Sequence, residues 1–347
     1  MNGEQWEQVK QVFEELAEAS SERQSERLTS LSDCEVVTEV KRLLANSTEA
    51  GVEFLSVPAH DFHTVSPAKR EPKFHPGELL GGRFYIVRLI GSGGMGEVYE
   101  AEDQELGTKI AVKSLAAQWH ADRDVARRFR REVHMARQIT HPNVCRVYDI
   151  FTHRTPGAEA LFITMELLEG ETLAARLRRV RRMTIEEAWP LLRQLAAGLQ
   201  AAHRCGIIHR DLKPANLMIC PRPPADQRLA ITDFGLARPE QRSEASRSSN
   251  SLLLGTPAYM APEQFLGEAG IRSDIYSLGV ILYEMLAGAT PPRDTSKLFP
   301  KGHVIPKQWQ RAIHTCLDAD PSRRFQSASE ILSAIRPERW WMRVPRA

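Results

Sequence analysis

Hydrophobic residues are spaced in three different ways along the chain. Over residues 4–18, Trp6, Val9, Phe13 and Leu16 recur on one helical face, and Val36, Val37, Val40, Leu43 and Leu44 do so again further on. Ser21 with Gln24 and Ser32 with Glu35 have capping-box spacing, which predicts helices starting there. Together these predict a small all-α module over residues 1–47. Residues 48–83 lose the period and scatter Pro58, Pro67, Pro72 and Pro76 among polar residues, the pattern of a linker. From Phe84 the pattern becomes strand-like. Phe84–Ile90, Val98–Ala101, Lys109–Lys113, Val144–Phe151 and Ala160–Met165 read as strands, with one helix predicted over Asp122–Ile139.

Beyond Met165 helical spacing dominates. Thr184 and Glu187 predict a cap for a helix that runs to Cys205, stops at Gly206 and carries Pro190 in its early turns. The apolar run Ile275–Ala289 is too short to span a bilayer and contains Glu284, so it reads as a buried helix. Lys307–Leu317 and Ala328–Ile335, the latter capped by Ser327 with Glu330, complete the helices; Cys220–Arg228 reads as a Pro-rich surface loop.

Composition adds three constraints. The chain has 347 residues, 42% hydrophobic and 26% charged, which is ordinary for a globular protein of two or three domains. Residues 1–60 hold twelve Asp/Glu and five Lys/Arg, a net of −7, so the remainder carries +9 of the total +2. The five cysteines are odd in number, widely spaced and free of C-x-x-C, which points to free thiols in a reducing compartment and to no zinc site.

The chemistry lies in an ordered series of short motifs. Gly91, Gly93 and Gly96 give a G-x-G-x-x-G turn between two strands; glycine there lets a hairpin backbone approach phosphates. A dinucleotide-binding turn would lead into a helix, whereas here Val98-Tyr99-Glu100-Ala101 continues as strand. Lys113 ends the Ile-Ala-Val-Lys strand, where an inward lysine requires anionic partners. His209-Arg210-Asp211-Leu212-Lys213-Pro214-Ala215-Asn216 and then Asp233-Phe234-Gly235 bring carboxylates, a cation and a carboxamide in the order phosphoryl transfer to a hydroxyl uses. The series resembles the glycine-rich loop, catalytic loop and metal-binding turn of eukaryotic-like serine/threonine protein kinases of bacterial type, over about residues 84–336.

That resemblance implies an α+β, bilobal protein kinase fold preceded by the helical module. The small lobe spans about 84–165, the helical lobe about 169–336, and residues 337–347 form a basic, aromatic tail. It implies ATP bound by Ile90, Gly91, Ser92, Gly93, Gly94, Met95, Gly96, Glu97, Val98, Ala111 and Lys113, with Met165, Glu166 and Leu168 at the hinge and Met218 as floor. Asp211 orients the hydroxyl, Lys213 holds the γ-phosphate, and Asn216 and Asp233 hold Mg²⁺, with Mn²⁺ as the alternative. Lys113 pairs with Glu132 of the small-lobe helix, and Thr256 contacts Asp211 and Lys213. Ser243, Ser246, Ser248, Ser249 and Ser251 lie in the segment resembling an activation loop, and autophosphorylation is expected among the last four. Glu263 of Ala261-Pro262-Glu263 is expected to pair with Arg324. Asp274 is expected to cap the buried helix and brace the catalytic loop.

The partners expected are protein substrates and a second copy in trans-autophosphorylation, in the cytoplasm. Nucleic acid is not expected, because the basic run Arg176–Arg182 has no interleaved aromatics and reads as a solvated face. The tail Arg339–Arg346 mixes tryptophan with arginine as a membrane-interface flank does, yet packing on the large lobe is favoured. Only thirteen residues separate Pro292 from Pro306, where most protein kinases carry a longer substrate-docking segment. Two other readings stay open: a kinase-fold scaffold acting by protein binding, and a phosphotransferase for small metabolites.

Overall fold

The computed structural model describes residues 72–93, 96–114, 123–155, 158–222, 226–234, 257–292, 298–299 and 305–335, with eight single positions between 12 and 40. Residues up to Glu71 and from Pro72 onward form two units. In the first, Val12, Leu16, Leu28, Val36 and Val40 are helical and buried. The caps expected at Ser21 and Ser32, the linker over 48–71, Gly94, Met95, the segment 235–256 with its serines and Thr256, and the tail lie outside the described residues.

The second unit begins with an antiparallel sheet of β1 (Leu79–Leu80), β2 (Phe84–Gly93), β3 (Gly96–Asp103), β4 (Thr108–Ser114), β5 (Val147–Thr155) and β6 (Ala158–Met165), in the order β1-β2-β3-β4-β6-β5. Side chains alternate between its faces. Ile110 and Val112 of β4 and Phe162 of β6 join Phe84, Ile86 and Tyr99 in one cluster. Ala111 of β4 and Leu161, Ile163 and Met165 of β6 join Phe129, Val133 and Ala136 of helix α1 (Arg123–Ala136) in another. The helix ends at Ala136, before the expected Ile139, which instead packs in the core of the large lobe.

Residues 72–83, expected as linker, belong to this lobe. Phe74 is 2% exposed, its ring packs 5.5 Å from Tyr99 and 6.1 Å from Phe162, and Leu80 is fully buried. The proline and glycine content that reads as linker makes the tight turns on either side of β1, with Gly77, Gly81 and Gly82 all at positive φ.

The large lobe is built on α3 (Ile185–Arg204) and α4 (Ile271–Ala287), preceded by β7 (Glu171–Thr172) and α2 (Leu173–Val180) and followed by α5 (Lys307–Cys316) and α6 (Ala328–Ala334). The capping box of Thr184 and Glu187 starts α3. Twelve residues of α4 are buried, which is why its sequence beyond Asp274 is largely apolar. Gly279 lets α4 approach α5 closely: a Cβ there would lie 2.4 Å from Cys316 Cβ. Ser327 precedes α6 without capping the backbone; its Oγ donates to Glu330 Oε1 instead.

Two further expectations change. Cys220–Arg228 is no simple loop: β8 (Leu217–Arg222) and β9 (Asp226–Ile231) pair along their length, and β7 adds to β8. Pro221 and the nearby prolines read as loop, but tertiary pairing overrides that local signal. Asp274 does not cap α4, whose N-cap is Gly270, with Ser273 Oγ accepting from the Gly270 N–H. Among the described residues no helix is long and apolar enough to cross a membrane.

Candidate active site

Three segments converge where the sheet lobe meets the helical lobe. The end of β4 supplies Lys113, on the same face as Ala111 and turned towards α1, with its side chain 7% exposed. The segment after α3 supplies Asp211, Lys213 and Asn216, the last in a 3₁₀ turn begun by Pro214. The residues after β9 supply Asp233. These chain ends are joined by hydrogen bonds: the Thr232 N–H donates to Asn216 O at 2.9 Å, and His209 Nε2 lies 2.9 Å from Thr232 O.

Asp274, 1% exposed, organises the catalytic loop from below. Its two oxygens accept from the His209 N–H at 2.8 Å and the Arg210 N–H at 2.9 Å, and His203 Nε2 lies 2.8 Å from Oδ2. The Arg210 carbonyl accepts from Gln264 Nε2 at 2.8 Å. Both peptide groups of Arg210 are thus fixed although its φ is 66°, and Asp233 has φ 59°. Non-glycine residues in the left-handed region cost of order 1–3 kcal/mol, and here they flank the stretch that carries Asp211, Lys213 and Asn216.

Within this frame Asp211 Oδ2 lies 3.0 Å from Lys213 Nζ, and Asn216 Nδ2 donates to Asp211 O at 2.8 Å and to Oδ2 at 3.3 Å. Both Asn216 bonds use the amide nitrogen, so among the described residues its oxygen accepts none. Lys113 Nζ binds Asp233 Oδ1 at 2.6 Å. Burial pushes the Asp233 carboxyl up, but the Lys113 ammonium outweighs it, and the group ends below the usual carboxylate range.

The expected Lys113–Glu132 ion pair is absent among the described residues. Glu132 lies half-buried on α1 and has another interaction. An ammonium as buried as Lys113 requires a counter-charge, and Asp233 provides it. Glu97 also departs from expectation. It shares a face with buried Tyr99, and its carboxylate accepts from the Tyr99 hydroxyl and, at 2.8 Å, from the Lys73 N–H. Only its backbone remains to face a nucleotide.

The glycine-rich hairpin pairs Gly91 with Val98, Ser92 with Glu97 and Gly93 with Gly96, after Ile90. A Cβ added at Gly91 would meet nothing within 4 Å. At the hinge, Met165 stands opposite Ala111 in the sheet, and the Glu166 N–H donates to Arg146 O. The Leu168 N–H has no protein acceptor among the described residues. Met218 lies on β8 opposite Ala230. The Glu166 carboxylate forms a two-pronged pair with Arg228 of β9, one contact at 3.0 Å. Arg228, Gln264 and His203 escaped sequence reasoning, since none belongs to a motif with fixed spacing.

The donor set suits a nucleotide and a divalent cation. Asn216 Oδ1 and the Asp233 carboxylate are hard oxygen ligands, Lys113 and Lys213 suit phosphate charge, and the space at Gly91 admits it. Glu263 and Arg324 lie further back, in a bidentate pair at 2.7 and 2.9 Å.

Comparison with known proteins agrees with this architecture. Residues 84–334 match the protein kinase domain family. Serine/threonine-protein kinase PknA of Mycobacterium tuberculosis is 34% identical over 283 residues, 78% of this chain and 64% of its own. Serine/threonine-protein kinase pkn2 of Myxococcus xanthus is 39% identical over 275 residues, 74% of this chain and 32% of its own. The chain thus spans under two thirds of these relatives' length. The crystal structure of the Mycobacterium tuberculosis PknI kinase domain superposes with a TM-score of 0.60 at 26% identity, covering 75% of this chain and 98% of that one. In sequence and in fold, the chain belongs to the protein kinase domain family.

Proposed function

We propose that this protein transfers the γ-phosphoryl group of ATP to serine or threonine hydroxyls of protein substrates. The observation that carries the reading is the convergence of the linked Asp211, Lys213 and Asn216 with the Lys113–Asp233 pair, Thr232 beside Asp233 donating its N–H to Asn216 O. Asp211 is placed to orient the incoming hydroxyl and accept its proton, and Lys213, 3.0 Å away, to hold the transferred phosphoryl oxygens. Lys113 exchanges Asp233 for nucleotide phosphate. Asn216 and Asp233 would hold the divalent cation, Mg²⁺ or Mn²⁺, which when bound neutralises charge on the phosphates. With little covalent chemistry to perform, the residues act by positioning and electrostatics.

The intact motif set favours an enzyme over a scaffold, and the names of the relatives favour protein over metabolite substrates. Free Cys145, Cys205, Cys220 and Cys316 support a reducing, cytoplasmic setting. We also place autophosphorylation, in trans between two copies, within this function. Incubation with labelled ATP and Mg²⁺ tests the proposal. Incorporation into a serine/threonine peptide is expected from the wild type, with loss of at least a hundredfold in Asp211→Asn. Nucleotide binding without incorporation in any variant refutes catalysis, and Asp211→Asn labelled by added wild type establishes the trans step.

A further inference from the structure

Behind the hinge, away from the residues assigned to nucleotide and hydroxyl, the large lobe carries a groove of about 720 Å³, a size usual for ligand sites. Its walls are α2, the outer face of α3 and the β8–β9 hairpin. Gln194 fixes them to one another: its Nε2 donates to Gln227 O at 2.9 Å, and its Oε1 accepts from the Leu229 N–H at 2.9 Å and from Asn143 Nδ2 at 2.8 Å. The floor is apolar, from Val180, Met183 and Leu191. Val180 is 37% exposed among the described residues.

The walls are basic. Arg176, Arg179, Arg193 and Arg228 line the groove against the single carboxylate of Glu187. Arg176 and Arg179 share one counter-ion, Glu171, and Arg228 is held by Glu166. Arg193 is exposed and has no acidic partner among the described residues. The run Arg176–Arg182 places three more arginines beside them, all exposed. Counting Glu186 and Glu187 as well as the two paired acids, seven arginines face four carboxylates, an excess of three positive charges.

We propose that this groove docks an acidic segment, with interspersed apolar residues, carried by the protein substrates of the kinase; the inference rests on the phosphotransferase reading above. Carboxylates of that segment meet Arg179 and Arg193, and an apolar side chain covers Val180 and Leu191. Charge and apolar complementarity argue for it. So does the chain itself. Only thirteen residues lie between Pro292 and Pro306, where most protein kinases carry a longer substrate-docking segment, so another surface is needed to hold a protein substrate. Nucleic acid suits the groove less well, since no aromatic side chain lines it for base stacking and its floor is apolar.

The test compares two peptides on the same full-length protein. One is a short serine peptide; the other is that peptide joined by a glycine/serine linker to an Asp/Glu segment containing leucine. Tethering raises the local concentration of the phosphoacceptor, so kcat/KM for the extended peptide is expected to exceed the other by about tenfold, mainly through KM, and the advantage falls with salt. Arg179→Glu with Arg193→Glu brings the ratio to about one, while Arg323→Glu, at an exposed arginine elsewhere, leaves it unchanged. Each ratio is taken on one protein, so loss of folded enzyme cancels. Equal rates in the wild type, or an advantage that survives the double reversal, overturns the proposal. Abolition of the advantage by single-stranded RNA at lower concentration than free acidic peptide reassigns the groove to nucleic acid. If neither peptide is phosphorylated, the kinase reading fails; binding of the labelled acidic peptide, compared between wild type and double reversal, then decides the groove alone.

Discussion

Replacing Arg324 with alanine is expected to cost far more than a surface arginine would. Its side chain is fully buried and makes two charge-assisted bonds to Glu263, whose side chain is 11% exposed. It also donates to the backbone oxygens of Asp318, Arg272 and Ala319 at 2.7, 3.0 and 3.2 Å, and its guanidinium lies 4.9 Å from the Tyr276 ring centroid. Removing one partner of a buried pair costs about 3–5 kcal/mol, chiefly because the other charge is stranded. Glu263 then keeps, as its side-chain donor among the described residues, Ser273 Oγ at 2.7 Å. At about 2–4 °C per kcal/mol, the melting temperature should fall by about 6–20 °C. Urea unfolding of Arg324→Ala, Glu263→Ala and the double variant measures the coupling. The double variant should lose clearly less than the sum of the singles, because neither charge is then left alone. A loss below about 1 kcal/mol in Arg324→Ala, or strict additivity, refutes the argument.

The same pair predicts a pH dependence. Burial raises the Glu263 carboxyl, but its bonds to Arg324 and Ser273 bring it below its ordinary value. Its contribution is therefore complete above the unfolded carboxylate pKa of about 4.3 and is lost as pH falls through the lower folded value; the melting temperatures of wild type and Glu263→Gln should converge in that acid range. Gly279→Ala forces a Cβ to within 2.4 Å of Cys316 Cβ and should cost about 1–3 kcal/mol by urea unfolding, with partial recovery in Gly279→Ala/Cys316→Gly. A chain starting at Pro72 should melt like the intact kinase unit, whereas one starting at Phe84 loses the burial of Phe74 and Leu80 and should melt well below it. Lys113→Met removes the counter-charge of Asp233, and nucleotide affinity, read by fluorescence titration, should fall at least tenfold.

Much of the candidate site was legible in the sequence, because the motifs that resemble those of protein kinases fix residue types at set spacing. Asp211, Lys213, Asn216, Asp233 and Lys113 are short-range or motif-bound signals, and the structure gathers them. The strands of the small lobe were legible through alternation, and α3 through its capping box. What escaped were interactions decided by tertiary packing. Pro221 argued for a loop, yet it pairs with Gln227 in the β8–β9 ladder, to which β7 adds. Pro72, Pro76 and three glycines hid the fact that Phe74 and Leu80 are core residues. The Lys113 partner followed proximity at the domain cleft rather than motif order, and the Arg228 clamp on Glu166 joins residues 62 apart, with no local trace in the sequence.

The entry of the chain into the small lobe has a mechanical consequence. Among the described residues, bonds met just after Pro72 are the Lys73 N–H on the Glu97 carboxylate and, at 3.0 Å, the Phe74 N–H on the Tyr99 hydroxyl. Glu97 immediately follows Gly96, so the leading end of the lobe is tethered to the roof of the cleft. Tension applied at residue 72 is borne first by these two bonds and tugs on the glycine-rich hairpin before it strains the rest of the sheet. An optical trap pulling at that point would strip the roof at lower force than one pulling at the end of α6, making this end the lobe's natural handle.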